Sequence, residues 1–512
     1  IRQSASVLDY SVTMETRLVD MLKSSPFYAD FLSGVQLASC RPDVTWEDFP
    51  QSLRKALKDL GLETQLQNAI YHALRKSPWL LTPSVPLLQR KEPLAYLRRA
   101  QSAWQRRLSK SLNNTCQDLD LQLSCRRSKA SKEAIMEHWE ELSTLDTDLE
   151  AVRPVFSPKD FLEVISSIHS PNVKSLPTKS KYSGLTRVPF KVTTLQDMSV
   201  KYKEILTLPE VGTNERRNQL AEKVLLTAHS QIAREFVKEG CPQSYRAKMW
   251  SLILGVSSGP KEKQSYENLK QSVLDYDILM DQLILKDIRL TASNDDQYFV
   301  FEDVLCQVLL CFLRDTSVLA HFSYSCASPV TGLLQNTDTP VAYPPCGVIP
   351  FHGFSMYASP LCFLYSDPVQ LYTVFREMYV SYWYKLHSLS SKPDGILCLC
   401  VLFESLMQNH EVKLWEGLQA RTIQPLRLVF KWMIRGFSGH LSVDQVLLLW
   451  DMILAYDNMT LLPLLAASIL SLRRDNLLLA PDQQTAEAVL ADLSSIKVMP
   501  LLNLVFKKIK SD

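Results

Sequence analysis

Apolar residues recur three and four positions apart along much of this 512-residue chain, the spacing of helices that bury one face. Phe49, Leu53, Leu57, Leu60 and Leu66 form one such stripe within 46–75, and Pro78 closes the segment. Leu94, Leu97, Trp104, Leu108 and Leu112 form another, and a further stripe runs from Leu269 through Val273, Tyr276 and Met280 to Leu283. Residues 214–238 read as one long helix. Between 170 and 191 the helical period gives way to Pro, Ser and Lys, with Ser170-Pro171 and Leu176-Pro177, as in a linker. Residues 323–347 are rich in Ser, Thr, Asn, Pro and Gly and have no helical period either. A structureless loop of that length is uncommon in a compact domain, so this stretch reads as an insertion, either a gate or a segment without structure of its own.

The face opposite the Leu94–Leu112 stripe carries Arg98, Arg99, Arg106, Arg107 and Lys110, continued by Arg126, Arg127, Lys129 and Lys132. A basic amphipathic helix over 94–112 suits an anionic membrane surface or an acidic protein partner. An ordinary solvated face is the alternative, and the acidic stretch 137–150 is available to neutralise it. Net charge is only +2 with 21% charged residues, which gives no reason to expect nucleic-acid binding. Fourteen glycines are under half the usual frequency of about 7%, and no phosphate-cradling Gly-x-x-x-x-Gly-Lys-Ser/Thr run is present. Eleven cysteines without a Cys-x-x-Cys pair, Cys398-x-Cys400 among them in an apolar run, suggest buried free thiols and a reducing, cytoplasmic setting. Ile396–Phe403 is too short to span a bilayer, and Asp451 and Asp457 interrupt the apolar 447–470 region. The chain opens on Ile1 without a signal-peptide pattern, and a few residues are expected to precede it.

Other enzyme chemistry finds little support. Gly353-Phe-Ser355-Met-Tyr357 lacks the second glycine of a nucleophile elbow. His72, His138, His169 and His229 lack metal-ligand spacing, and His387 and His410 have no evident Cys or carboxylate set, so no metal site is expected.

Three landmarks follow one another in the second half. Gly240-Cys-Pro-Gln-Ser-Tyr-Arg246-Ala-Lys-Met-Trp250 reads as a helix stop and restart, with Arg246 and Trp250 four apart on one face. Ile284-Leu-Lys-Asp287-Ile-Arg289-Leu-Thr291 follows at the end of a helical pattern. Phe430-Lys-Trp432-Met-Ile-Arg-Gly-Phe437 comes next, then Leu441 to Trp450-Asp451. In order and spacing these resemble the TBC domain, an all-helical module that stimulates GTP hydrolysis by Rab-type small GTPases. That family carries Arg-x-x-x-Trp, then Ile-x-x-Asp-x-x-Arg, then Tyr-x-Gln, and later a Leu-Trp-Asp helix. Arg246 and Trp250 match the first motif, Ile284 and Asp287 the second, and Leu449, Trp450 and Asp451 the last. The resemblance covers roughly 233–480. It implies an all-α protein with a helical N-terminal region over 1–168, a linker over 169–213, a TBC domain over 214–485 with an inserted loop near 323–347, and a C-terminal helical tail over 486–512.

By this resemblance the arginine of the second motif is a finger supplied in trans, worth about 10³–10⁵ in rate, and the glutamine of the third orients the attacking water. Here the finger position counted from Asp287 is Leu290, and the arginine, Arg289, comes one residue early. On a helix that displacement rotates the side chain by about 100°. The helix is expected to end near here, and an irregular loop would let Arg289 serve as a displaced finger. Ile349-Pro350-Phe351-His352-Gly353 falls on the Tyr-x-Gln-Gly segment, so His352 stands where the glutamine would be. A neutral imidazole offers one donor and one acceptor, and it is expected either to position water in a pH-dependent way or to be structural. Arg246, Trp250, Asp287 and Gly353 would support the site or bind the Rab. The chain needs no cofactor of its own, since GTP and Mg²⁺ belong to the partner GTPase. Two functions stand: a Rab GTPase-activating protein in membrane trafficking with displaced fingers Arg289 and His352, or a non-catalytic Rab-binding adaptor. Either would be cytoplasmic, with peripheral membrane association through the basic helix.

Overall fold

The computed structural model describes residues 15–39, 49–76, 94–145, 149–168, 214–294, 298–319, 321, 330–333 and 340–505. The expected linker over 169–213 lies outside these residues, as does most of the stretch 323–347. The chain forms two compact units, each discontinuous in sequence: residues 1–89 with 213–256, and residues 90–212 with 257–512.

The first unit is helical, with Pro26–Ser39, Phe49–Asp59, Leu62–Lys76, Asn214–Thr227, Ser230–Lys238 and Gln243–Leu254. The stripe expected over 46–75 is two helices, because Gly61 takes φ 70°, a left-handed turn that favours glycine. The helix expected over 214–238 is also broken, at Ala228 with φ 48°. Asn68 compensates by donating to the Ala228 carbonyl (2.7 Å), and the His229 ring caps the next helix by accepting from the Gln231 N–H (3.3 Å). Gly240 at φ 105° ends that helix, and Pro242 precedes the one bearing Met249, Trp250 and Ile253, all fully buried.

The second unit begins with α1 (Ala95–Leu119), which buries Leu97, Trp104, Leu108 and Leu112 and exposes Arg98, Arg99, Arg106, Arg107 and Lys110. After β1 (Ser124–Arg126) and a tight turn over Trp139–Thr144 comes α2 (Pro158–Ser166), opened by a Ser157/Asp160 capping box. The stripe expected through 269–283 is divided among α3 (Pro260–Asp275), β2 (Tyr276–Ile278) and α4 (Leu279–Asn294). Tyr276, at the start of β2, leaves the helical stripe and is 44% exposed, and burial increases along the strand to Ile278, which is 4% exposed. Asp281 pins this ladder, accepting from Arg127 Nη2 at 3.1 Å and from Arg314 Nη2 at 2.6 Å. Arg314 ends α5 (Glu302–Arg314), on which every residue from Leu305 onward is buried. A helix apolar all round belongs at a centre, and α5 packs against α3, α4 and the 139–144 turn.

The stretch 323–347 is not wholly irregular: β3 (Val330–Leu333) and β4 (Pro340–Tyr343) pair as antiparallel strands. Further helices include α6 (Pro368–Ser381), α7 (Ile396–His410), α8 (Pro425–Ile434), α9 (Val443–Tyr456) and α10 (Leu461–Leu472), with α10 packed on α7 and α8. Apart from these two small ladders the described residues are helical or irregular, so the protein is all-α. Phe312, Phe354, Phe375, Tyr379 and Trp383 form an aromatic core in which Phe312 meets Tyr379 edge-on at 4.9 Å. No helix of the described residues is long and apolar enough to cross a membrane, and every described cysteine is a free thiol.

His387 lies in this core with its Nε2 2.7 Å from the Tyr379 hydroxyl, and burial lowers its pKa to about 3. Burial, aided by Arg435 and Lys431, also lowers that of His440 to about 3. An unfolded histidine protonates near pH 6.5, so both groups favour the folded state above that pH and oppose it progressively as pH falls towards 3. Each is expected to remove up to about 1.4 kcal/mol per pH unit below about 6.5. Urea denaturation between pH 7.5 and 5 checks this, and His440→Gln should flatten the decline.

Candidate functional site

The site forms where α4 meets the turn after Pro350. Ile284, Asp287, Ile288 and Thr291 are all buried on α4. A buried carboxylate needs donors, and Asp287 finds them in one short turn. Its Oδ1 accepts from the Gly353 N–H (2.6 Å), and its Oδ2 accepts from the Ser355 N–H (2.9 Å) and Oγ (2.7 Å). Thr291 Oγ1 lies 2.8 Å from Ser355 Oγ.

Gly353 has φ 95°, and a Cβ there would lie 2.3 Å from the Arg435 guanidinium. Arg435, just past the end of α8, donates to the His352 carbonyl (3.0 Å). Burial lowers its pKa, and the Asp287 charge partly offsets this. Trp450 of α9 donates through Nε1 to the Gly436 carbonyl (2.9 Å), tying the late Leu-Trp-Asp helix to the turn that carries Arg435. The His352 ring is 40% exposed, with Nδ1 3.5 Å from Asp287 Oδ1, a long contact that becomes an ion pair only when the ring is protonated.

Asp287, His352 and Gly353 therefore come together, and Arg289 does not join them. α4 stays helical to Asn294, so the expected early helix end is corrected and no loop re-aims the arginine. Two residues along a helix turn a side chain by about 200°, and Arg289 leaves from the side opposite Asp287. Its Nη2 donates to the Leu145 carbonyl (2.9 Å) and its Nε lies 3.9 Å from Glu302 Oε1. Leu290 is half-buried. Arg246 and Trp250 are buried residues of the first unit, 5% and 0% exposed.

Arg435 lies within the third landmark, but no local pattern gives it a role, because its partner is 83 positions away. Ser355 likewise has no signal in its own neighbourhood, and only its contact with Asp287 reveals its role. Among the described residues no group of His, Cys, Asp and Glu could hold a metal ion. The arrangement is a rigid clamp that presents one imidazole at its surface.

A model of the Rab-GTPase-TBC domain matches residues 351–478, and a relative aligned nearly end to end settles the assignment: the chain belongs to the RabGAP-TBC family. That relative is TBC1 domain family member 19 of Homo sapiens, 43% identical over 506 residues, covering 95% of this chain and 96% of that protein. The crystal structure of the Chlamydomonas flagellar RabGAP TBC domain aligns over 62% of this chain and 97% of that chain, at 15% identity and a TM-score of 0.39.

A methyl group at 353 meets both a left-handed φ and the Arg435 guanidinium. Gly353→Ala is expected to cost about 1–3 kcal/mol. Combined with Arg435→Ala it should cost less than the two single changes summed. A double-mutant cycle by urea denaturation reads this, and strict additivity would mean the methyl never meets the arginine.

Proposed function

We propose that this chain engages a Rab-family GTPase through the face carrying Asp287, His352 and Gly353, and does so chiefly as a binding module. The observation that carries this reading is the position of Arg289, held by the Leu145 carbonyl and close to Glu302 on the far side of α4 from Asp287. A finger contributes about 10³–10⁵ in rate, or roughly 4–7 kcal/mol of transition-state stabilisation. A half-buried leucine at the finger position counted from Asp287 offers no charge to the phosphoryl oxygens. Binding draws on a broad helical surface and does not depend on that charge. The family membership favours a second reading, a GTPase-activating protein with Arg289 as displaced finger and His352 as water-orienting residue. In either case GTP and Mg²⁺ are the partner's, and the setting is cytoplasmic membrane trafficking.

Single-turnover GTP hydrolysis across a panel of Rab proteins separates the two. The binding reading expects detectable association with little or no acceleration, and a gain of at least tenfold for Leu290→Arg with His352→Gln. Acceleration by the wild type that disappears in Arg289→Ala would support the activating protein instead.

The exposed cations of α1 support peripheral attachment to anionic lipid, since juxtamembrane cations contribute about 1 kcal/mol each. Sedimentation with phosphatidylserine vesicles should capture the full chain at low salt. Arg99→Glu/Arg106→Glu/Lys110→Glu should abolish capture, and an unchanged fraction would leave this face merely solvated.

A further inference from the structure

Residues 149–157 contain no helix or strand, yet Leu149, Val152, Val155 and Phe156 are buried while Arg153 and Pro154 are exposed. Within the segment the backbone forms a single described hydrogen bond, from the Val152 N–H to the Leu149 carbonyl (3.2 Å). Its C-terminal residue Ser157 is tied into α2 by the capping box, its N–H donating to Asp160 Oδ2 (2.8 Å), and the carbonyls of Leu149, Val155 and Phe156 accept from donors elsewhere in the second unit. Lys286 Nζ donates to Leu149 (2.8 Å), Ser111 Oγ to Val155 (3.1 Å), and the His352 N–H to Phe156 (3.0 Å). Arg289 holds the nearby Leu145 carbonyl in the same manner. The Phe156 ring seats the end of the segment between Phe351 (5.9 Å) and Trp104 (5.1 Å).

Two of those donors, Lys286 and Arg289, flank Asp287 on α4, and a third is the backbone of His352. The segment thus runs from the helix bearing one expected finger to the turn bearing the other. A stretch without a ladder of its own, held by a few carbonyl contacts, by its buried Leu149, Val152, Val155 and Phe156 side chains and by a capping box at its end, can open without global unfolding.

We propose that residues 149–157 are an intramolecular strap that covers the surface between Lys286 and His352 and competes with the GTPase for it. The competitor named here rests on the Rab-binding reading above; the strap itself does not. When a binding-competent form is only a fraction of the population, the apparent dissociation constant is the intrinsic one divided by that fraction. Loosening the strap therefore tightens binding in proportion.

The test uses the full chain and its Phe156→Ala variant, with amide exchange and binding measured on both. The Val152 and His352 amides are expected to exchange through local opening, at least 100-fold faster than the amides of α5. Phe156→Ala should speed both by about tenfold and tighten binding of GTP-loaded Rab proteins by a similar factor. Exchange of Val152 and His352 at the rate of α5 in the wild type overturns the strap, whatever the variant does to folding. Local opening with equal Rab binding by both forms overturns the competition. Local opening with no Rab bound by either form supports a movable strap and refutes the Rab-binding reading.

Discussion

A carboxylate buried in the middle of a helix is the constraint on which this site is built. A buried carboxylate needs hydrogen-bond donors, and three of those of Asp287 come from one turn, the Gly353 and Ser355 amides and the Ser355 hydroxyl. Aiming the N–H donors of residues 353 and 355 at one carboxylate bends the chain sharply, and the bend is completed by the left-handed Gly353. The absent side chain leaves room for Arg435 to approach and take the His352 carbonyl. Trp450 then fixes the next residue, Gly436. Motif residues scattered over more than 160 positions thereby become one body.

What could be read in the sequence divides along this line. Residues that act through helical spacing were legible: the α1 stripe at Leu97, Trp104, Leu108 and Leu112 is buried as its period implies. Asp287 and Trp450 stood out because the family resemblance marks them. Breaks set by a single residue were harder. Gly61 is at least a residue type that permits a left-handed turn, whereas Ala228 gives no such hint. The three-residue ladder of β1 and β2 is too short to impose a period, so Tyr276 was assigned to a helix stripe it does not join. Arg435 and the 149–157 segment were invisible for a different reason, since their partners lie far away in sequence and no local pattern encodes them.

The end of α4 shows how one local decision controls a chemical one. Nothing in Thr291-Ala-Ser-Asn294 forbids a helix, and its continuation fixes the angle between Asp287 and Arg289. Had the chain unwound at Ile288, the length of an arginine would have sufficed to bring its charge round. Helical as it is, the backbone gives Arg289 to the Leu145 carbonyl, and Leu290 occupies the position nearer the Asp287 side. Packing of α4 against α5 and the 353–355 turn enforces this geometry, so the arginine's direction is a consequence of core burial.

His352 is where the clamp and the strap meet. Its N–H goes to Phe156, its carbonyl to Arg435, and its neighbour's N–H to Asp287. Each of these contacts uses the backbone, so the fold constrains where residue 352 sits far more than which side chain it carries. The exposed imbalance is the ring itself, 40% accessible beside a carboxylate. A primary amide at the same position would keep every backbone contact and change only what is offered to a partner. Chemistry at this position is therefore separable from the architecture beneath it, so the side chain offered to a partner can change without refolding the turn.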